Sequence, residues 1–407
     1  MTGHDEKDAL VRELQDRSQE VGGHPIGLDA VKGSARRMRR RRNLASGAVA
    51  AVVAAVAVPI GLTVNNGLMT AQDPVGPARS SSTPAPDPTE EPTPTPSPAP
   101  LDTVRGPLTT EDVPRGEDPQ ITYLSGRRII EPDGTVTPVR RVYGTVTPYA
   151  DGWLASTRAA DELAFLAADG TEDRVLPGSQ IARNAEASQV AYVTDAETGR
   201  HELVIAPTIG AESAKTRIPV PAGSRPFGFV SEDTVVLETP REAVQVVGPN
   251  ARNRTLPALR HAGGANDVTG LVSGLTELTD FGSCSVVLEA ATGEQLFETC
   301  DHTLGRFSPD GRYVLGHPAY RSGAGDGQVA ILDARTGEVL VDLVNSEATQ
   351  SMVSTAVWED NSHVLAAVFE KGSWTVLRIG ADRTLSMASE AVPGDESDSP
   401  VYFSARP

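Results

Sequence analysis

The sequence is poor in the features that usually announce a chemistry. Cys284 and Cys300 are its only cysteines in 407 residues, and the first 43 residues have none, which excludes a zinc-binding His/Cys pattern there. No Gly-x-Ser-x-Gly occurs, and Ser273, in GLVSG, has the wrong spacing for a nucleophile elbow. The histidines beyond residue 64 (His201, His261, His302, His317 and His363) include no pair at metal-ligand spacing. Gly323–Gly327 (GAGDG) lacks the strand-to-helix setting that a phosphate loop needs. Beyond residue 101 no long stretch repeats every 3.6 residues, which argues against a helical domain. No catalytic residue, cofactor or metal ligand is therefore expected.

Long apolar runs are also scarce, and the longest organises the chain. Leu44–Val64 (LASGAVAAVVAAVAVPIGLTV) passes without a charge, and as a helix it would span ~32 Å, about one hydrocarbon core. Arg36, Arg37, Arg39, Arg40, Arg41 and Arg42 press against its N-terminal end, whereas Asn65-Asn66-Gly67 follows the other. Basic flanks stay in the cytoplasm, so a single transmembrane helix is expected, with the N-terminus inside and the C-terminus outside. The rival is a cleaved secretory signal; a 43-residue preceding region and the lack of a clean Ala-x-Ala site speak against it.

Charge divides across this segment. Residues 1–43 carry ten Lys/Arg and seven Asp/Glu, a net of +3; the whole chain is −18, which leaves −21 beyond the span. An exterior so acidic repels nucleic acid and anionic lipid, and no nucleic-acid partner is expected. Asp8–Val21 has a weak amphipathic pattern, so the tail reads as partly helical. Residues 65–105 read as a disordered spacer, because Gln72–Leu101 alternates Pro with Ser/Thr. In polyproline II it would reach about 90 Å, and it cannot bury enough apolar surface to fold.

Residues 106–407 change texture. Short Val/Ile/Tyr-rich runs alternate with Gly, Asp, Asn and Pro, the pattern of a sandwich, barrel or propeller. Hairpin-type turns recur at Asp133-Gly134, Asp169-Gly170, Thr198-Gly199, Pro249-Asn250, Thr292-Gly293, Thr336-Gly337 and Ala381-Asp382, with a mean step of about 41 residues, the period of a four-stranded blade. A second landmark, GRFSPDGRYVLG (Gly305–Gly316), has looser echoes at Thr147–Ser156, Arg183–Val193, Gly228–Glu238 and Ala356–Val368. Each places a turn of small or acidic residues before a β-rich run.

Phe307-Ser308-Pro309-Asp310-Gly311-Arg312, followed by Val329–Asp333 and Thr336-Gly337, resembles the WD40-like repeats of TolB-type β-propellers. The match is good over Leu304–Leu343, fair over Ser351–Ser386 and faint elsewhere. It implies about seven blades, with six or eight as alternatives. Rare lysine with abundant alanine resembles the composition of a high-GC, actinobacterial genome. Ser399–Ala405 resembles an inner strand with no blade after it, while Gln120–Val142 offers three strands and lacks an inner one; pairing them would close the ring.

Cys284 and Cys300 bracket a strand, turn and strand. If Ala291-Thr292-Gly293 is a three-residue loop, Ala290 faces Glu294 and the two sulfurs lie opposite each other, which suits a disulfide. Two free thiols are the alternative, and an oxidising exterior disfavours them. Functionally, the sequence points to a membrane-held extracytoplasmic propeller that binds or scaffolds a protein or cell-envelope ligand. The alternatives are a propeller hydrolase or lactonase with an acidic, cation-binding funnel, and an anti-sigma-like signalling protein acting through its tail.

Overall fold

The computed structural model describes residues 99–100, 104–178, 180–195, 200–209, 215–240, 243–249, 253–279, 282–320 and 325–403. The tail, the flanking arginines Arg36, Arg37 and Arg39–Arg42, the apolar run Leu44–Val64 and most of the spacer lie outside them. Among the described residues no helix is long and apolar enough to cross a membrane.

Among these residues the chain forms seven sheets, each built on four antiparallel strands, arranged as the blades of a β-propeller. Each blade is lettered A to D from the axis outward. Blade 2 has Thr145–Tyr149, Gly152–Ser156, Glu162–Leu166 and Glu172–Pro177; blade 3 has Ala182–Arg183, Gln189–Asp195, His201–Pro207 and Thr216–Val220. Blade 4 has Arg225–Ser231, Thr234–Thr239, Ala243–Val247 and Arg254–Thr255; blade 5 has His261–Asn266, Leu271–Thr279, Gly282–Glu289 and Gln295–Thr299. Blade 6 has His302–Phe307, Tyr313–Pro318, Gln328–Asp333 and Val339–Val344; blade 7 has Met352–Trp358, His363–Glu370, Ser373–Gly380 and Thr384–Met387.

Blade 1 closes the ring as its missing strand requires. Tyr123–Ser125, Arg128–Ile130 and Val136–Pro138 supply strands B to D, and Val401–Phe403, from the far end of the chain, supplies strand A. Tyr123 pairs with Phe403, Leu124 with Tyr402 and Ser125 with Val401.

The turn landmarks sort cleanly. The landmark at Gly305–Gly316 and its four echoes are all A–B hairpins, and six of the seven hairpin-type turns fall between strands C and D. Thr198-Gly199 is the exception: it lies outside the described residues, and in chain order it stands between strands B and C of blade 3. The A–B turn of blade 5, between Asn266 and Leu271, carries no earlier landmark, because its strand HAGGAN is too glycine-rich to read as β.

Burial is divided among the blade interfaces. Seven hydrophobic clusters are found among the described residues, one between each pair of neighbouring blades. Strand A must taper toward the axis, and glycine permits it. A Cβ on Gly263 would stand 2.1 Å from the Leu304 carbonyl oxygen, and one on Gly264 would stand 2.8 Å from the Arg306 Cα.

The chain reaches blade 1 only after crossing the outside of blades 6 and 7. Ala99–Pro100 pairs with Leu385 and Thr384, and Arg105–Pro107 adds a parallel fifth strand against Asp342–Val344. Leu108 is fully buried in the cluster between blades 6 and 7. Thr109 and Thr110 then donate hydrogen bonds to the Glu370 carboxylate.

Candidate functional site

The A–B turns gather at one mouth of the central channel. In blade 6, Ser308 Oγ donates to Asp310 at 2.7 Å, the same carboxylate accepts the Arg312 N–H at 3.1 Å, and Gly311 takes a φ of +70°. Gly311 is required twice over, since a Cβ would also collide with Thr269 and Asn266. Asn266 of blade 5 is fully buried and donates to the Ser308 and Pro309 carbonyls at 3.0 and 3.1 Å, joining two neighbouring turns.

Blade 4 has a two-residue A–B turn, Glu232–Asp233, and the longer loop of blade 3 reaches past it: the Ala185 N–H donates to Asp267 of blade 5 at 2.9 Å. This loop forms a cavity of about 310 Å³ with two other blades. It is lined by Arg183, Ala185, Glu186 and Ala187 of blade 3, Pro309 of blade 6, and Asp360 and Asn361 of blade 7. Arg183 is 8 % exposed in this wall. Close by in strand A of blade 6, burial lowers the Arg306 guanidinium from its usual range, and the Arg306 carbonyl accepts the Trp358 indole N–H at 2.9 Å.

Asp360 is committed to its own turn. It accepts the Ser362 and His363 N–H groups at 2.7 and 2.8 Å and lies 2.9 Å from His363 Nδ1. Burial alone would raise its carboxyl; these hydrogen bonds outweigh it and hold the group well below the usual carboxylate range. The reciprocal bond to Asp360 raises the His363 imidazole, against opposing burial.

The remaining histidines each face a carboxylate or its network. His201 lies 2.6 Å from Asp195, His261 lies 3.5 Å from Glu238, and His317 lies 3.0 Å from Asp326. His302 opens strand A of blade 6, 3.2 Å from Gln328, which bonds Asp342; its buried Nδ1 has no hydrogen-bond partner among the described residues. Among the described residues no three His, Cys, Asp or Glu side chains gather so as to hold a metal. Trp153, Trp358 and Trp374 are 7, 0 and 2 % exposed, so packing claims most of each ring.

Cys284 and Cys300 form a disulfide between strands C and D of blade 5, with Cα atoms 4.1 Å apart. The expected register holds from Ser285–Thr299 to Val287–Phe297, although the turn differs. Glu289, and not Ala290, faces Glu294 across a four-residue loop, and a bulge between Val287 and Leu288 restores the alignment.

The mouth residues Arg183, Glu186, Asp360 and Asn361 were not singled out by sequence reasoning. Their A–B landmarks were legible, but their convergence comes from blades more than a hundred residues apart.

No protein-family model matches the chain, and no curated protein matches it in sequence. Solved structures similar to it include Hsv2 of Kluyveromyces lactis, 12 % identical with a TM-score of 0.39 over 59 % of this chain and 73 % of that one. Oligopeptidase B of Leishmania major is 9 % identical, with a TM-score of 0.45 over 70 % of this chain and 50 % of its own. The WD40 β-propeller domain of Doa1 is 11 % identical, with a TM-score of 0.40 over 67 % of this chain and 89 % of its own.

Proposed function

We propose that this chain is a single-pass membrane protein that holds a WD40-like, TolB-type propeller outside the membrane, where the channel mouth binds a protein or cell-envelope ligand. The observation that carries the binding role is the mouth itself. Loops from blades 3, 6 and 7 meet there and mix Arg183 with Glu186, Asp360 and Asn361. With Asp360 bound to its own turn, such a rim offers directional contacts from groups of both signs. The uncharged run Leu44–Val64 behind six arginines supports the topology, with the proline-rich segment as a spacer.

A photo-crosslinking residue placed at Asn361 in the full chain is expected to capture a discrete adduct in cells, while one at Val136, exposed on the outer strand of blade 1, captures none. Equal labelling at both positions, or none at either, overturns the reading. Protease added to intact cells is expected to remove the chain beyond residue 101, and protection of that part would refute the topology.

A further inference from the structure

A second cavity, of about 510 Å³, lies between the A–B and C–D turns of blade 2 and shares no lining residue with the first. Its lining includes Tyr149, Trp153 and Phe165, with Asp151, Asp173 and Arg174 as the charged members. The three rings are 6, 7 and 7 % exposed, so each contributes a strip of edge to the wall. Tyr149 and Phe165 meet edge to face at 5.6 Å, and Phe165 meets Tyr192 of blade 3 in the same way at 6.1 Å. The floor is thus fixed by packing between two blades.

The two aspartates set this cleft apart. Asp133, Asp169, Asp310, Asp333, Asp360 and Asp382 each accept the N–H of the residue two positions on, which fixes a turn. Asp151 and Asp173 have no side-chain hydrogen bond or ion pair among the described residues, and both are exposed at the cleft. Their oxygens are free for something else.

The other groups narrow the choice. The guanidinium carbon of Arg174 lies 4.2 Å from the Phe165 ring centre and Lys215 Nζ lies 5.7 Å from that of Tyr149, so the protein's own cations already cover these rings. An incoming cation would be repelled by both. An incoming anion would be repelled by Asp151 and Asp173, and with two charges of each sign the cleft exerts little net pull on either kind of ion. A neutral polyhydroxylated ring fits: its hydroxyls donate to Asp151 and Asp173 and accept from Arg174, and its C–H groups lie against aromatic carbon. The volume is within the range of small-molecule sites.

We propose that this cleft binds a neutral pyranose sugar, independently of the channel mouth. The test uses the full chain, with calorimetry and Trp153 fluorescence against glucose, galactose, mannose, N-acetylglucosamine, cellobiose and chitobiose, and sedimentation with cellulose, chitin and peptidoglycan. Saturable binding is expected with at least one of these. Response to a soluble sugar identifies a free ligand, and response to a polymer alone identifies a glycan; either supports the proposal. Asp151→Asn and Asp173→Asn should each weaken binding about tenfold, as loss of a charged hydrogen bond does. Glu347→Gln, on the exposed connection between blades 6 and 7 and outside both cavities, should leave it unchanged. Both aspartates are exposed, so unchanged thermal midpoints are expected to show that the variants fold. The proposal is overturned if nothing binds at about 20 mM sugar, if tetramethylammonium or sulfate binds instead, or if both Asn variants bind as before.

Discussion

Replacing Glu359 with alanine should be among the most damaging single changes in the ring. Its side chain is 3 % exposed and faces Arg378, 13 % exposed, with the guanidinium Nε 2.5 Å from one carboxylate oxygen and its second nitrogen 2.8 Å from the other. The Gln120 N–H donates to the same carboxylate at 2.6 Å, tying the entry of blade 1 to the A–B turn of blade 7. Removing one partner of a buried pair costs roughly 3–5 kcal/mol. Arg378 keeps the Glu117 and Asp118 carbonyls as acceptors, which moves the expectation for Glu359→Ala to the low end, about 3 kcal/mol. Arg378→Met alone should be similarly harmful. The double variant should lose clearly less than the sum, with a coupling of about 2 kcal/mol, because it leaves no buried charge uncompensated. Urea unfolding followed by tryptophan emission measures all three, and the neighbouring Trp358, fully buried, makes a sensitive reporter. A single-variant cost below about 1 kcal/mol, or strict additivity, would refute the reasoning.

Three further outcomes are expected. His363 titrates above its ordinary value, so its pair with Asp360 should stabilise the fold fully below about pH 6.5 and fade as pH rises through the raised pKa; an NMR titration of His363 falling below 6.5 would contradict this. Asn266→Ala leaves the turns of blades 5 and 6 unjoined and the Val268 and Thr269 N–H groups without their acceptor, for a loss of about 2–4 kcal/mol in urea unfolding; a loss under about 0.5 kcal/mol would show that the bridge is dispensable. Replacing both cysteines by serine opens a link with a sequence separation of 16 and should lower stability by about 3 kcal/mol, checked by the shift in urea midpoint, with no shift counting against it.

What could be read from the sequence was whatever is local. Turn chemistry exposed the blade period, because Asp and Gly at a tight bend are demanded by backbone geometry and leave the same mark each time. Blade 3 departs from that rule: the marked dipeptide stands in the chain between strands B and C, and the sequence between Pro207 and Thr216 lacks the Asp-Gly stamp. The cysteine pairing followed from strand alternation, and the error in loop length cancelled against a bulge that no local pattern announces. Ala99–Pro100 and Arg105–Pro107 escaped notice as strands, since two- and three-residue pieces containing proline have no alternation to detect. Both cavities escaped as well. The mouth needs blades 3, 6 and 7 brought together, and the cleft on blade 2 depends on which aspartates are left out of their turns.

The chain joins the ring at its circumference. Ala99–Pro100 lies on the outermost strand of blade 7 and Arg105–Pro107 on that of blade 6, so three further strands stand between either attachment and the axis. Traction through the preceding residues therefore lands on the hem of the wheel, where no part of the mouth is built. On the proposed reading of a tethered, ligand-binding domain, the load falls at the rim and the grip at the hub, and a pull on one need not loosen the other.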